Sequence, residues 1–392
     1  MAEVLEVLAG RRCKMLSRAR SHPNRELAIE RRVLRAIVAG FIVQTALACT
    51  PLSQPRPSHL CEWGTPLFTC DFARSQILPF LATYNGGPLV NNPGGTGLVS
   101  GFMLWCTVRA LDPLHIIESG AYRGLGTWLL RNAAPTAQIT VLSPAKPTLY
   151  IDARNDSVYH VGPGFKDFAH FRWDGIDKER TLIFFDDHQS EYRRTLEAFA
   201  RGFRHLFFDD NYLPMKGDNF ALKEACDGDG ALRMLLSGNP YPPAAKFAYG
   251  MGVKRKEPFI ITPPVRRNIS AALRKVADVY YELPQLWPSS ASRFTNVSPA
   301  TFHKIAQTPL LSISEGHHLH QALSIGGNEA AKVTADDKAM ITMTHQVYVH
   351  LNEYKNVKLD MDEAWPREFG RLSGFRPQSA ASRRFFGWLR PA

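Results

Sequence analysis

From His115 onward, short apolar runs rich in β-branched and aromatic residues alternate with amphipathic stretches of helical periodicity. The apolar runs predict strands, and they read HIIES, QITVLS, SVYHVG, TLIFFDD and HLFFDD. Helices are predicted at Leu98–Leu111, Gly124–Ala134 and Glu191–Gly202. Strands that alternate with helices indicate βαβ units. The chain is therefore predicted to have an α/β fold, a Rossmann-like three-layer sandwich around a mainly parallel sheet, with an elaborated C-terminal half.

The pattern weakens after Tyr212, where we predict an insertion over about 212–335 within a domain spanning 97–355. A helix is expected near Asn268–Leu283, and the β-rich run Met340–Leu351 is expected to return to the sheet edge as an antiparallel pair. Residues 49–96 are rich in Pro, Gly and Ser, which is typical of a linker.

Residues 1–48 predict a basic leader with an apolar signal or anchor. The run Ala36–Ala48 is uncharged, and its length suits a secretory h-region of roughly 7–15 residues better than a bilayer span. Ala46 and Ala48 have the small-x-small form of a cleavage site. A secretory or membrane-anchored location follows, and an organelle transit peptide and a buried N-terminal helix are the alternatives.

The net charge of +11 comes from 47 Lys and Arg residues against 36 Asp and Glu residues. Residues 1–35 and the end of the tail, 367–392, hold most of this excess, so the body of the chain is nearly neutral. A neutral body lacks the continuous basic face of a duplex binder, and no specific nucleic-acid partner is expected. The basic tail 356–392 is expected to be solvated, with contact to a membrane as the alternative.

The six cysteines include no C-x-x-C pair, so the sequence does not support a zinc site. Cys61 and Cys70 would close a small disulfide if the compartment is oxidising.

The segment from His115 to Thr127 carries the first functional signal. A strand ends in Glu118, and a glycine turn then opens a helix, so backbone N–H groups face whatever binds there. Gly120 and Gly124 are expected to let the backbone approach a ligand closely. The spacing is not that of a dinucleotide or phosphate loop.

Two further strands end abruptly in acids, at Asp186–His188 and at Asp209–Asn211. Parallel strands in neighbouring positions would bring both groups to one sheet edge, where four carboxylates repel one another unless a cation lies among them. Oxygen ligands from Asp and Asn favour Mg²⁺.

These three segments together resemble S-adenosylmethionine-dependent methyltransferases, and in particular the Mg²⁺-dependent catechol O-methyltransferase group, over about residues 90–215. The resemblance rests on the E-x-G-A-Y-x-G form of the glycine turn, on Asp-His after strand four and on Asp-Asn after strand five. It implies that Asp187, Asp210 and Asn211 hold the metal. It also implies a cofactor site formed by Glu118, Gly120, Ala121, Tyr122, Gly124 and Ser143.

Two positions depart from that family. Ser143 stands where the family has an acid for the cofactor ribose, and Ser190 stands where it has a lysine base. Without that lysine, the candidate proton acceptors are His188 and bulk water. The expected reaction is metal-assisted methyl transfer to the hydroxyl group of a small-molecule or glycan-like acceptor. A lumenal metal-dependent glycosyltransferase and a non-catalytic binding protein on the same fold are the alternatives.

Overall fold

The computed structural model describes residues 63–88, 92, 95–212, 220–228, 245–247, 259–283 and 346–357. The predicted leader 1–48, residues 358–392 of the predicted tail and Cys61 lie outside the described residues, and so does the Cys70 side chain. The predicted domain limits and localisation therefore remain predictions. None of the described helices has the length and hydrophobicity that a bilayer crossing requires.

A seven-stranded sheet forms the centre of the fold. Its strands are β1 (His115–Ser119), β2 (Gln138–Ser143), β3 (Ser157–Val161), β4 (Thr181–Phe185), β5 (His205–Phe208), β8 (Ala277–Glu282) and β9 (Val347–Leu351). Their order is β3-β2-β1-β4-β5-β9-β8. Strands β1 to β5 are parallel, and β9 runs antiparallel to both of its neighbours. β6 (Ala245–Phe247) and β7 (Phe259–Ile261) form a separate antiparallel pair.

Two groups of helices complete the fold. They are α1 (Cys70–Asn85), α2 (Leu98–Leu111) and α3 (Leu125–Ala133), and then α4 (Glu191–Ala200), α5 (Leu222–Ala225) and α6 (Pro263–Val276). Side chains alternate across each strand. Ile117, Phe185 and Phe208 therefore pack in one buried cluster with residues of α4 and α6. Phe184, on the opposite face, lies beneath the start of α3.

The structure confirms the predicted helix at Leu98–Leu111, which is α2. All of its residues from Leu98 to Val108 are buried. This burial explains why the segment is apolar on every face rather than amphipathic.

Helix α1 lies within the segment that the sequence predicts as a linker, and this is a correction. Thr69 caps the helix by accepting a hydrogen bond from the Phe72 N–H (3.2 Å), and Phe80 packs against Phe102 and Trp105 of α2. Pro79 lies inside the helix. Proline normally interrupts a helix, so a Pro-rich segment is predicted as a linker even where, as here, its apolar residues form the buried face of a helix.

The predicted helix Asn268–Leu283 is correct only in its first part, because α6 ends at Val276 and β8 begins at the next residue. Tyr280 and Tyr281 are buried in β8 and belong to the core, so part of the predicted insertion 212–335 is part of the sheet. Strand β9 pairs antiparallel as predicted, but β8 rather than β9 forms the edge.

Candidate functional site

The candidate site lies where β1, β4 and β5 end. Ser119 pairs with Phe185, and Phe185 pairs with Phe208, so the three strands end at one level. The Asp186 N–H donates to the Ser119 carbonyl (2.8 Å), and the Asp209 N–H donates to the Phe185 carbonyl (3.1 Å). The glycine turn and both acidic segments therefore meet at one edge of the sheet, as predicted.

The glycine turn after β1 has a left-handed backbone at Gly120 (φ 95°), Tyr122 (φ 41°) and Gly124 (φ 99°). A Cβ on Gly120 would lie 1.9 Å from the Asp186 carbonyl oxygen, and one on Gly124 would lie 2.2 Å from the Tyr150 carbonyl oxygen. The two glycines thus admit close contacts with the chain's own backbone. The expectation that they also let the backbone approach a ligand stays a prediction.

Glu118 is fully buried on the α3 side of the sheet. Its carboxyl group accepts a hydrogen bond from the Thr127 hydroxyl and lies against Gly126 at the start of α3. Burial raises the pKa of Glu118 to about 8, and hydrogen bonds from Thr127 only partly offset this effect. Glu118 is therefore mostly protonated at neutral pH, when no cation lies next to it.

The other predicted cofactor residues lie around this turn. Ala121 is buried, and its carbonyl accepts a hydrogen bond from the Gly124 N–H (2.7 Å). Tyr122 is 47% exposed, which makes it the most exposed member of the set. Ser143 is buried at the end of β2. Ser190 caps α4 by accepting a hydrogen bond from the Arg193 N–H (3.3 Å), which is a structural role.

Asp186, His188 and Asp210 form the one group of possible metal ligands found within the described part of the chain. One ligand atom from each lies within 4.8 Å of the others. His188 has a left-handed backbone (φ 52°), and its Nδ1 lies 3.2 Å from Asp210 Oδ2. His188 is therefore at the site, as predicted, and Asp186 is a candidate ligand that the prediction missed.

The cluster concentrates negative charge. Burial and then the neighbouring carboxylates raise the pKa of Asp186 well above its usual value. Burial and the charge of Asp210 raise the pKa of Asp209 to about 7, although Gln346 donates a hydrogen bond to Asp209 (2.5 Å). Gln346 directly precedes β9, so the antiparallel strand also supports this edge. Such mutual repulsion is the condition that a bound cation relieves.

Asp187, a predicted metal ligand, lies outside this group. Its Oδ2 accepts hydrogen bonds from the Ser119 hydroxyl (2.7 Å) and from Arg194 Nε (2.9 Å). Arg194 is 2% exposed and also binds Asp167 through two hydrogen bonds (2.9 and 2.6 Å). Asp187 is thus part of an ion-pair network with α4.

Asn211, another predicted ligand, is fully buried, and both ends of its amide are in use. Its Oδ1 accepts from the Lys223 N–H (2.8 Å), and its Nδ2 donates to the Tyr280 hydroxyl (3.3 Å). Tyr280 in turn donates to Glu282 (3.0 Å), which pairs with Lys223 Nζ (2.8 Å). The sequence analysis missed this network, because its members are far apart along the chain.

The strand order defines a Rossmann-like α/β fold, and the acids at the strand ends mark the carboxyl ends of its parallel strands as the candidate ligand site. The predicted fold class is confirmed. Neither a family model nor a curated protein matches the chain.

The chain is similar to several solved structures. One is a candidate O-methyltransferase from Klebsiella pneumoniae (TM-score 0.24, 19% identity, 38% of this chain and 66% of that chain). Another is the O-methyltransferase from Bacillus cereus in complex with SAH (TM-score 0.23, 15% identity, 35% and 66%). A third is a cyclopropane-fatty-acyl-phospholipid synthase-like protein from Lactobacillus casei (TM-score 0.28, 12% identity, 71% and 99%).

The match thus spans 66% of each of the first two structures. With TM-scores of 0.23 to 0.28, the likeness to these structures carries no conclusion about function.

Proposed function

We propose that the chain is an S-adenosylmethionine-dependent methyltransferase that acts on a hydroxyl group held at the acidic edge by a divalent cation. The observation that carries this proposal is the direct contact between the two motifs, since Gly120 of the glycine turn lies against the backbone of Asp186. A methyl donor on the turn and an acceptor oxygen at the acids would be neighbours, and such positioning is a large part of catalysis.

Residues of the turn have separable roles in this proposal. S-adenosylmethionine, when bound, supplies an electrophilic methyl group. The first N–H groups of α3 and the exposed Tyr122 ring would face the bound cofactor. Glu118 is buried against the start of α3. A cationic amino group near Glu118 would favour the ionised carboxylate, so binding is expected to release a proton from it.

The acidic edge fits a divalent cation by its chemistry. Asp186, Asp209 and Asp210 crowd one place, and the pKa values of Asp186 and Asp209 are raised partly by the charge of their neighbours. A cation held there would lower the pKa of an acceptor hydroxyl and orient its oxygen. The role of His188 as proton acceptor remains a prediction, as do the small-molecule or glycan-like acceptor and the Mg²⁺ ion.

A non-catalytic binding protein is the second candidate, and one observation favours it. Tyr150 lies against Gly124, and the Leu149 and Tyr150 N–H groups both donate to the Arg123 carbonyl (3.2 and 3.0 Å). The loop after β2 therefore covers part of the turn, and Ser143 at its start offers no acid. A glycosyltransferase is less well supported, because nucleotide-sugar binding does not require the glycine turn.

We also propose an oxidising, secretory-type compartment. Cys226 is disulfide-bonded, whereas Cys106 is a buried free thiol. Disulfides persist mainly in oxidising compartments.

Calorimetric titration of the full chain with S-adenosylhomocysteine, with and without divalent cation, tests the proposed function. Saturable binding is expected, and a nucleotide sugar should give no signal. Titrations in buffers of different ionisation enthalpy should reveal proton release at neutral pH, and Glu118→Gln should abolish that release. No binding of S-adenosylhomocysteine under any condition would refute the proposal in favour of a non-catalytic protein.

A further inference from the structure

We infer that the metal ion at this edge is held by Asp186, His188 and Asp210 rather than by the family-type set of Asp187, Asp210 and Asn211. We further infer that this ligand set selects a first-row transition metal ion over Mg²⁺. The inference rests on the proposed function only in expecting a metal ion at this edge.

Both carboxylate oxygens of Asp187 already accept hydrogen bonds from the protein. Oδ2 carries the two hydrogen bonds from Ser119 and Arg194, and Oδ1 accepts from the Gln189 N–H (3.2 Å). A second Arg194 nitrogen lies 2.7 Å from Oδ2. A metal ion on this carboxylate would have to displace these donors and tolerate a buried guanidinium beside it, which is electrostatically unfavourable.

The Asn211 amide is also fully engaged in hydrogen bonds. A metal ion binds an amide through its oxygen, and the Asn211 Oδ1 already accepts the hydrogen bond from the Lys223 backbone N–H. The side chain is fully buried, and its nitrogen donates to Tyr280. Turning the oxygen toward a metal would leave the Lys223 N–H without its partner in the core, which costs about 1–3 kcal/mol.

The alternative set needs only small adjustments. Ligand atoms at about 2.1 Å from one ion lie about 3–4 Å apart, by the bond lengths usual for carboxylate and imidazole ligands. The three candidate atoms already lie within 4.8 Å of one another, and the His188 and Asp210 atoms are 3.2 Å apart. The His188 ring lies beside Asp210, and all three residues follow the ends of β4 or β5 at the same edge of the sheet.

The nitrogen ligand decides the selectivity. Carboxylate oxygens suit Mg²⁺, but imidazole suits later first-row ions, whose affinities rise from Mn²⁺ through Co²⁺ for a given site. A ligand role for His188 also replaces the proton-acceptor role predicted from the sequence, because the nitrogen bound to a metal ion cannot take up a proton.

Binding of Mg²⁺, Mn²⁺ and Co²⁺ to the full chain, measured by isothermal titration without cofactor, tests this inference. The affinity is expected to rise in that order, with Co²⁺ at least about tenfold tighter than Mg²⁺. His188→Asn is the informative variant, since Asn tolerates the left-handed backbone and offers an oxygen in place of the nitrogen. It should weaken Co²⁺ binding about tenfold and change Mg²⁺ binding less than about threefold.

Asp186→Asn and Asp210→Asn should weaken the binding of all three ions by about tenfold or more, by loss of a ligand charge. Asp187→Asn is the matched control, because it removes a neighbouring carboxylate that is not a ligand of the proposed set. It should leave all affinities within about threefold, with folding checked by thermal unfolding. The inference is overturned if Asp187→Asn abolishes metal binding while Asp186→Asn does not, if His188→Asn leaves the order of affinities unchanged, or if the wild-type chain binds none of the ions. Binding of S-adenosylhomocysteine is scored separately, so its failure alone would refute only the methyltransferase proposal.

Discussion

Arg194 determines which of two adjacent acids faces the site. Asp186 and Asp187 are consecutive, so their side chains leave the end of β4 in different directions. Asp187 pairs with the buried guanidinium of α4, together with Asp167 and Glu197. Asp186 is then the acid left beside His188 and Asp210.

Replacing Arg194 by lysine tests this arrangement. Lysine keeps the charge but loses the planar fork that binds Asp167 through two nitrogens, so buried carboxylates lose their partners. We expect Arg194→Lys to lower the unfolding free energy by about 3 kcal/mol, measured by urea denaturation. Arg193→Lys is the control, because Arg193 forms a single i,i+4 pair with Glu197 and should cost about 1 kcal/mol or less. Equal effects of the two substitutions would contradict the assigned role.

Gly120 offers a second test at a single residue. Gly120→Ala should destabilise the fold by at least about 3 kcal/mol, because a Cβ would overlap the Asp186 carbonyl at a left-handed position. Gly162 has a positive φ (56°) but no atom within 4 Å of its Cβ position. Gly162→Ala should therefore cost only the backbone term of about 1–2 kcal/mol. Thermal unfolding of both variants distinguishes close packing from backbone strain.

Glu118 makes the stability depend on pH. In the folded chain the Glu118 carboxyl group has a pKa of about 8 and keeps its proton up to about that pH. In the unfolded chain it loses the proton near its ordinary pKa of 4.5. The contribution to stability is fully present below the unfolded value and is lost as the pH rises through the folded value, by about 1.4 kcal/mol per unit where one proton differs. Glu118→Gln lacks this term. Urea unfolding at several pH values should show the variant gaining stability over wild type as the pH rises, and parallel profiles would exclude the assignment.

At the scale of single elements, Ser190 differs from the family motif and has a structural role as the cap of a helix. It occupies the position of the family's lysine, and here its hydroxyl caps α4, the helix that carries Arg194. Ser190→Ala should cost about 1 kcal/mol of stability, whereas Ser190→Asp should be nearly neutral, because Asp is an equally good cap. If methyl transfer is observed, both variants should keep wild-type turnover. A large loss of turnover in stable Ser190→Asp would show that the hydroxyl takes part in the reaction.

Most of the elements that the sequence predicted correctly are regularly buried. Strands β1, β2, β4 and β5 and helix α2 are mainly apolar runs, as a buried strand or an enclosed helix requires. Strand β3 lies at an end of the sheet and is partly exposed, so its β-branched and aromatic residues were its main signal. Helix α1 contains Pro79, and β8 follows α6 with no connecting loop, so neither has the boundary signal on which prediction depends.

The candidate site likewise has one part that the sequence predicts and one part that it does not. The edge itself could be predicted, because parallel strands that end in acids bring them together. The ligand set could not, because it depends on partners distant in sequence. Arg194 donates a hydrogen bond to Asp187, and Asn211 is hydrogen-bonded to Lys223 and Tyr280, so both predicted ligands are engaged within the protein. An arginine seven residues after Asp187 is visible in the sequence, but only the fold shows that it turns back to that carboxylate.

At the scale of the whole molecule, the distribution of charge and of cysteines bears on where the protein works. The basic excess lies at the two ends of the sequence, and the acids that define the candidate site lie at one edge of the sheet. The net charge therefore says little about chemistry, whereas the disulfide at Cys226 bears directly on the compartment.

Reduction of the folded chain tests that disulfide. Loss of a native disulfide typically costs 2–5 kcal/mol, so we expect a reductant to lower the unfolding free energy of wild type by about this amount. Cys226→Ser should show the same loss without reductant and no further change with it. Cys106→Ala is the control: Cys106 is a buried free thiol whose pKa is raised by burial, so this variant should keep its sensitivity to reductant. A wild-type chain that is equally stable with and without reductant would contradict the disulfide and remove the support it gives to a secretory location.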